Sequence, residues 1–509
     1  MRFKSHRFFL AVPPIALAAF LAGRMSAGDG PRLFQTVLSI IGRDAVDSMG
    51  VDTLYQLAAR GLVASLGDPY AGLQSKEEFA RFSRNTLGNS YGGLGLRIVR
   101  TRGQLAVMRV IPGGPASAAG VRQGDRIVAV NDSSALRWDV DRASSVLTGV
   151  PGTAVRVAFQ DSRTGTRYDR TLTRAVINPP SVPFEAMLPG EVGYLPLQRF
   201  SDHSAMDVAA ALTRLERAGA RRLVLDLRGN PGGDLQQAAQ LAGLFLEPGA
   251  TVVRVQYRRY ADTLRADNGP AIGIDLPIAV LVDSQSASAS EILAGALQDH
   301  DRGLVVGTSS YGKGLVQNVY RLTNGWVLRL TSGHWYTPSG RLIQRTHADS
   351  MRTGPRPIFH SDAGRTVLGG GGIAPDVEVG TPPVPPAEEE LGRVLSDHAR
   401  DVNRVLDAYA GELESGLKPG FEVEPAWRDE LVRRLRAAGV PVVDSLARAS
   451  SDLLDRLLEG RAGMFVDSDS SDFIRGSDRD TQLARALELL RQVSDQRALL
   501  TIAASDRQP

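Results

Sequence analysis

No cysteine occurs among the 509 residues. That excludes disulfides, a thiolate nucleophile and thiolate-held zinc. Histidine is scarce as well. The seven are scattered, none in H-E-x-x-H spacing, so nothing in the sequence points to a metal centre or a cofactor. Neither sign of charge dominates, with 59 basic residues against 56 acidic ones and a net charge of +3. No basic stripe with interleaved aromatics is present, so nucleic acid is not an expected partner. The apolar run FFLAVPPIALAAFLAG, at positions 8–23, is broken by Pro13-Pro14. It is also shorter than the roughly 20 residues of a comfortable membrane helix.

What is present is ordinary globular material, 43% apolar and 23% charged, enough for about three units of roughly 150 residues. The basic head MRFKSHR before the apolar run has the form of an export signal, so residues 1–27 read as a signal peptide or a membrane anchor. The plainer alternative is a buried N-terminal helix. The stretch MSA before Gly28 is a poor cleavage site, and without cysteine there is no lipoprotein route, so both cleavage and retention through residues 8–23 stay open. The expected location is the cell envelope, periplasmic or secreted.

Apolar residues Leu54, Leu57, Ala58, Leu62 and Leu66 recur at three and four, which predicts a helical region over 33–87 that stops at GDPYAG. Over 88–176 short β-like runs separated by glycine turns predict a β-rich module. Over 181–380 strand-like runs (RRLVLDLRG, PIAVLVD, GLVVGTS) alternate with helical ones (DLQQAAQLAGLFL, SEILAGALQDH), which predicts an α/β core. The stretch TPPVPPAEEE, 381–390, reads as an extended linker, and 391–509 as a charged, helical C-terminal extension.

The chemistry concentrates in VDSQSASASEILAGALQDHDRGLVVGTSSYGKGLVQ, residues 282–317, with serines at 284, 286, 288 and 290. A serine where a strand turns into a helix sits beside outward-pointing amides that can hold an oxyanion. The competing reading is a capping box, Ser288 to Glu291, and for the serine alone the cap is favoured. A serine hydroxyl also needs a base. His300 lies at a predicted helix end and reads as a C-terminal cap. Lys313, between two glycines beside an apolar strand, is the other candidate. An ammonium is no base, so burial would have to lower its pKa. The plain alternative is a solvated turn lysine. In LDLRGNPGGDL, residues 225–235, Gly232 and Gly233 allow close backbone approach to a ligand. This turn carries no dinucleotide fingerprint.

GDPYAG, GGLGLRI, GPASAAGVRQGDRIVAVN, LDLRGNPGG, SASASEILAGALQD, YGKGLVQ and WYTPSGRLIQ follow one another in this order. Together they resemble the carboxyl-terminal processing (tail-specific) serine peptidases over roughly residues 50–380. The resemblance implies an α+β multidomain chain: an α/β core of ClpP/crotonase type, an inserted PDZ domain, an N-terminal helical segment and a helical tail. It implies a serine–lysine endopeptidase that forms an acyl-enzyme, takes protein or peptide substrates with free C-termini and needs no cofactor. The family's serine-to-lysine spacing, counted back from Lys313, selects Ser288. Gln317 matches the family's glutamine and Asp299 its acidic residue. The oxyanion donors would be the amide of Ala289 and that of Gly232 or Gly233. Gly92, Gly93, Leu94, Gly95 and Leu96 would form the PDZ carboxylate loop, with a glycine-rich hairpin as the plain alternative. Arg174, at the end of the last PDZ strand, is the candidate link between module and core; it could equally be a solvated strand-end arginine. A homo-oligomer is compatible with all of this. A catalytically silent PDZ scaffold on the same fold is the alternative function. Two departures from the family's pattern stand out. One is an insertion between Gln344 and the closing Gly-Ile-Ala-Pro-Asp at 372–376, and the other is a tail beyond 387 that matches nothing in that pattern.

Overall fold

The computed structural model describes residues 29–83, 90–101, 103–266, 275–345, 355–380, 382–413, 416–418, 420–466 and 469–505. The export-signal reading of residues 1–27 lies outside them. The chain divides into two units, residues 1–76 with 317–331, and residues 77–316 with 332–509.

In the first unit, helices Asp29–Asp44 and Val51–Ala64 precede a short strand, Gly72–Gln74. That strand pairs antiparallel with Val327–Arg329. Arg60 stacks over the Trp326 ring at 5.1 Å. The first helix leaves Leu33, Phe34, Val37 and Ile40 exposed.

The second unit holds the α/β core. Its six-stranded sheet runs in the order Ala186–Leu188, Val192–Pro196, Arg222–Asp226, Ile278–Val282, Leu304–Gly307, Val377–Glu378. Only the first pair is antiparallel. Parallel neighbours need crossovers, which helices Ser204–Arg217, Leu235–Ala242 and Ala289–Asp299 supply. Side chains alternate across the sheet. Leu195, Leu223, Leu225, Val280 and Val305 face those helices. Val192, Tyr194, Val224, Ala279, Leu281, Leu304 and Val306 face the other way. Burial on both faces is why these strands read as unbroken apolar runs.

The β-rich module is a five-stranded antiparallel path with its own core around Leu105, Ile127, Val157 and Phe159. Helix Val140–Leu147 flanks the edge strand Leu96–Thr101. Tyr91–Gly93 and Ala175–Ile177 pair where the chain enters and leaves.

The tail is helical, and it corrects one expectation. Residues 381–390 are not extended throughout, because a helix starts at Pro386 and runs to Asp397. Proline at the first helical position loses no hydrogen bond, and Glu388 and Glu389 suit the positive end of the helix. Helices up to Leu458 share a core around Leu391, Leu406, Leu431 and Leu454. One of them, Ala399–Leu413, lies against the PDZ-like edge strand. Thr481–Arg491 and Gln496–Ser505 instead cover the second face of the central sheet through Leu483, Ala486, Leu490 and Leu499. Among the described residues no helix is long and apolar enough to cross a membrane.

Candidate active site

Strand Ile278–Val282 ends in a tight turn, and helix Ala289–Asp299 begins soon after it. The four serines of this turn have different environments. Ser284 is exposed. Ser286 Oγ donates to Leu227 O at 2.8 Å. Ser290 Oγ donates to Asn230 O at 3.0 Å. Both of those hydroxyls are buried and occupied in holding the turn. Ser288 is the helix N-cap, with φ 56° and ψ −113°. A side chain other than glycine rarely adopts positive φ, and such strain persists only where the surroundings over-determine it. The capping-box arrangement is present, and Ser288 N donates to Glu291 Oε2 at 2.8 Å.

Glu291 is the hub. It is fully buried, and the sequence pattern suggests only the cap for it. Its Oε2 accepts from both Ser288 N and Lys313 N, the latter at 2.9 Å. Its Oε1 accepts from Gly312 N and Ser310 Oγ, each at 2.6 Å. One carboxylate therefore joins the backbones of Ser288 and Lys313. Burial pushes the Glu291 carboxyl up from its ordinary range, against the pull of these four donors. A lone acid in the otherwise apolar run SEILAGAL is the signal available in the sequence. Lys313 is half-buried, and its carbonyl accepts from Trp335 Nε1 at 2.9 Å.

The Asn-Pro-Gly-Gly turn abuts the same serine. A Cβ built on Gly232 would lie 2.9 Å from Ser288 Cβ and 2.8 Å from Ala289 N. Gly232 has φ 92° and Gly233 φ 152°, so both need glycine. The Gly232 amide donates to Asn230 Oδ1 at 2.9 Å. Among the described residues, the amides of Gly233 and Ala289 have no hydrogen-bond partner. Asn230 is itself buried, and its carbonyl takes Ala287 N at 3.0 Å.

The other expected residues lie as follows. Asp299 is at the far end of the 11-residue helix that Ser288 caps, roughly 16 Å away at 1.5 Å per residue. It is buried, paired with Arg341, and accepts from Ser339 N at 2.9 Å. The structure therefore does not bring it to Ser288. Gln317 donates to Tyr70 O at 2.9 Å within the first unit. Arg174 is held inside the PDZ-like module, donating to Leu147 O at 3.1 Å and Val146 O at 2.7 Å at the end of its helix. Those bonds explain its place without a link to the core. The segment Gly92–Leu96 borders a groove of about 160 Å³ lined by Tyr91, Leu94, Leu96, Ile98, Leu147 and Thr148. His300 caps its helix, with Nδ1 2.7 Å from Asp362. Asp362 belongs to the inserted segment, whose described part forms a hairpin, Ile358–His360 with Thr366–Leu368. The rest of that insertion, 346–354, lies outside the described residues. No group of three or more metal-ligating side chains occurs among the described residues.

The family model described as Peptidase family S41 matches residues 191–350, and a PDZ domain model matches 107–161. The carboxy-terminal processing protease CtpA of Bacillus subtilis (strain 168) is 30% identical over 345 residues, covering 66% of this chain and 73% of that protein. A probable CtpA-like serine protease of Staphylococcus epidermidis is 29% identical over 347 residues, 68% of this chain. This chain spans about 65% of the length of that relative. Among solved structures, a photosystem II D1 C-terminal processing protease is 28% identical over 72% of this chain and 92% of its own, with a TM-score of 0.37. The PDZ domain of a carboxy-terminal protease from Vibrio cholerae, solved in complex with peptide, covers 18% of this chain and 98% of its own at 22% identity, with a TM-score of 0.17.

Proposed function

The chain belongs to peptidase family S41, among the carboxy-terminal processing proteases, and from that premise we propose that it is a serine endopeptidase whose nucleophile is Ser288 and whose base is Lys313. The observation that carries the reading is the strained N-cap. Ser288 holds φ 56° at the mouth of a helix, while Ser286 and Ser290 have their hydroxyls occupied in the turn. A cap alone needs no such strain, since an ordinary N-cap lies in the β region.

In this reading the Lys313 amine, neutral when active, takes the proton as Ser288 Oγ attacks the scissile carbonyl carbon. The carbonyl oxygen becomes an oxyanion, held by the free amides of Ala289 and Gly233. Gly232 supports that choice by having its own amide engaged with Asn230. Collapse passes the proton to the leaving amine and leaves an ester on Ser288. Water, deprotonated by Lys313, then releases the acid. The family resemblance gives Gln317 the task of holding the amine. Asp299, buried against Arg341, would fix the helix from its far end rather than touch substrate. Substrate C-termini would enter the groove beside Gly92–Leu96 by adding a strand to Leu96–Thr101. The apolar run 8–23 would keep the enzyme at the cell envelope.

The test is labelling by a fluorophosphonate together with cleavage of an unstructured protein. Wild type should label and cleave, and Ser288→Ala should do neither while melting normally. A wild type that neither labels nor cleaves would leave the silent PDZ scaffold as the better reading. An active Ser288→Ala would move the nucleophile elsewhere.

A further inference from the structure

Arg228 stands at the root of the Asn-Pro-Gly-Gly turn, between two carboxylates from distant parts of the chain. Asp226, two positions away, accepts from Arg228 Nε at 3.0 Å and from Nη2 at 2.6 Å. Asp480, from the C-terminal extension, accepts from Nη1 at 2.9 Å and Nη2 at 2.6 Å, a two-pronged pair. All three side chains are largely buried, with exposures of 20%, 8% and 24% for Arg228, Asp226 and Asp480. We propose that Asp480 is a positioning residue for the catalytic turn: it fixes Arg228, and through it residues 229–233, against Ser288. This rests on the reading of Ser288 as nucleophile.

The route from Asp480 to the serine is continuous. Asp226 also accepts from the Arg228 backbone amide at 2.9 Å and from Tyr194 OH at 2.7 Å, so side chain and main chain of Arg228 share one anchor. On either side of Arg228, Leu227 O receives Ser286 Oγ and Gly229 N donates to Asp283 Oδ1 at 3.0 Å. Next along the chain, Asn230 O receives both Ala287 N and Ser290 Oγ. Residues 227 to 230 are thus tied to the loop that carries Ser288 on both of its flanks. Asp480 is itself held in place. It caps helix Thr481–Arg491 by accepting from Leu483 N at 3.0 Å, and that helix is buried on the sheet through Leu483, Ala486 and Leu490. Without Asp480 the outer edge of the guanidinium keeps Gln482 Oε1, at 3.3 Å, in place of a carboxylate. A planar guanidinium gripped by a carboxylate on each of two edges is tied to both anchors at once, so Asp480 links the tail helix to the Asp226 pair. The family match ends at residue 350, far short of Asp480. The positioning contact is therefore supplied from outside the matched peptidase region.

Asp480→Asn in the full chain is the test, because asparagine keeps the shape and the helix cap and removes the charge. Its kcat should fall about tenfold with KM unchanged, as a displaced turn costs rate more than binding. Asp480→Glu should recover most of that loss. Hydrogen exchange at the Gly229 and Gly232 amides should quicken in Asp480→Asn. Wild-type kcat together with unchanged exchange in Asp480→Asn would overturn the proposal, as would a loss confined to melting temperature. Should that variant not fold, Asp480→Ser, which keeps the cap on a shorter side chain, is read in the same way. Exchange needs no catalysis. A wild type inert toward peptides whose turn still loosens in Asp480→Asn would sink the protease reading, and with it the catalytic role of Asp480, leaving only its tie to the turn.

Discussion

Gly232 and Glu291 tie Ser288 to its surroundings in different ways, and substitution separates them. A methyl at Gly232 would meet Ala287 O at 2.6 Å on a backbone already at φ 92°. Gly232→Ala should therefore push the turn off Ser288 and lower kcat roughly 100-fold, since misplacement of about 1 Å can cost that much. Steady-state kinetics of the purified variant check it. Glu291→Gln keeps the size but offers one acceptor oxygen to four donors. A buried donor left without its partner costs about 1–3 kcal/mol, so this variant should lose stability as well as rate, read by denaturant melts beside kcat. Asp480 adds a pH signature. Burial works against its charge, but the hydrogen bonding and charge of Arg228 together with the backbone amides of Leu483 and Gln482 outweigh it and hold the carboxyl below its ordinary 3.8. A group with a lowered folded-state pKa stabilises the fold above its unfolded value and loses that contribution as pH falls through the folded one. The melting-temperature advantage of wild type over Asp480→Asn should be full near neutral pH and close only on acidification below 3.8. An advantage that vanished already near pH 6 would point to another group.

The elements differ in how openly the sequence announces them. The central strands were legible because burial on both faces turns VLVD and LVVG into unbroken apolar runs. The β-rich module was legible from its glycine punctuation. The strand Gly72–Gln74 was not, being very short and paired with Val327–Arg329, in a distant part of the chain. Nor could residue type separate Ser288 from Ser286 and Ser290; their hydroxyl partners and the φ of one residue do that. The Arg228–Asp480 pair was invisible for a similar reason, with a separation of 252 between its members. For the PDZ-like module the groove makes its own prediction. It is apolar along Leu94, Leu96, Ile98 and Leu147 and ends at the Gly92–Leu96 segment. Substrates with a free, apolar C-terminus should be cleaved at lower KM than their C-terminal amides, because amidation removes the charge a backbone cradle would bind. Equal KM values for acid and amide peptides would assign the groove another role.

At the scale of the whole chain, the tail completes the peptidase core. Helices Thr481–Arg491 and Gln496–Ser505 bury Val192, Tyr194, Val224, Ala279, Leu281, Leu304 and Val306 on the second face of the central sheet, and the Phe473 ring stacks on Tyr194 with centroids 3.9 Å apart. A chain cut after residue 380 should expose that apolar face and be recovered as dye-binding, associated material in size-exclusion chromatography, even though it contains Ser288 and Lys313. Monodisperse, dye-negative material would refute this. The same arrangement sets an order of events during synthesis. The helix that closes the sheet begins at Thr481, whereas the first strand residue it covers is Val192. Contacts that distant form late, since loop closure precedes their reward. At an elongation rate of about 5–20 residues per second, the ribosome takes on the order of 15–60 seconds to pass from the first of these positions to the other. For the later part of that interval the nascent chain carries Ser288 and Lys313 without the helix that brings Asp480 to Arg228, so the turn beside the serine is completed by one of the last segments to leave the ribosome.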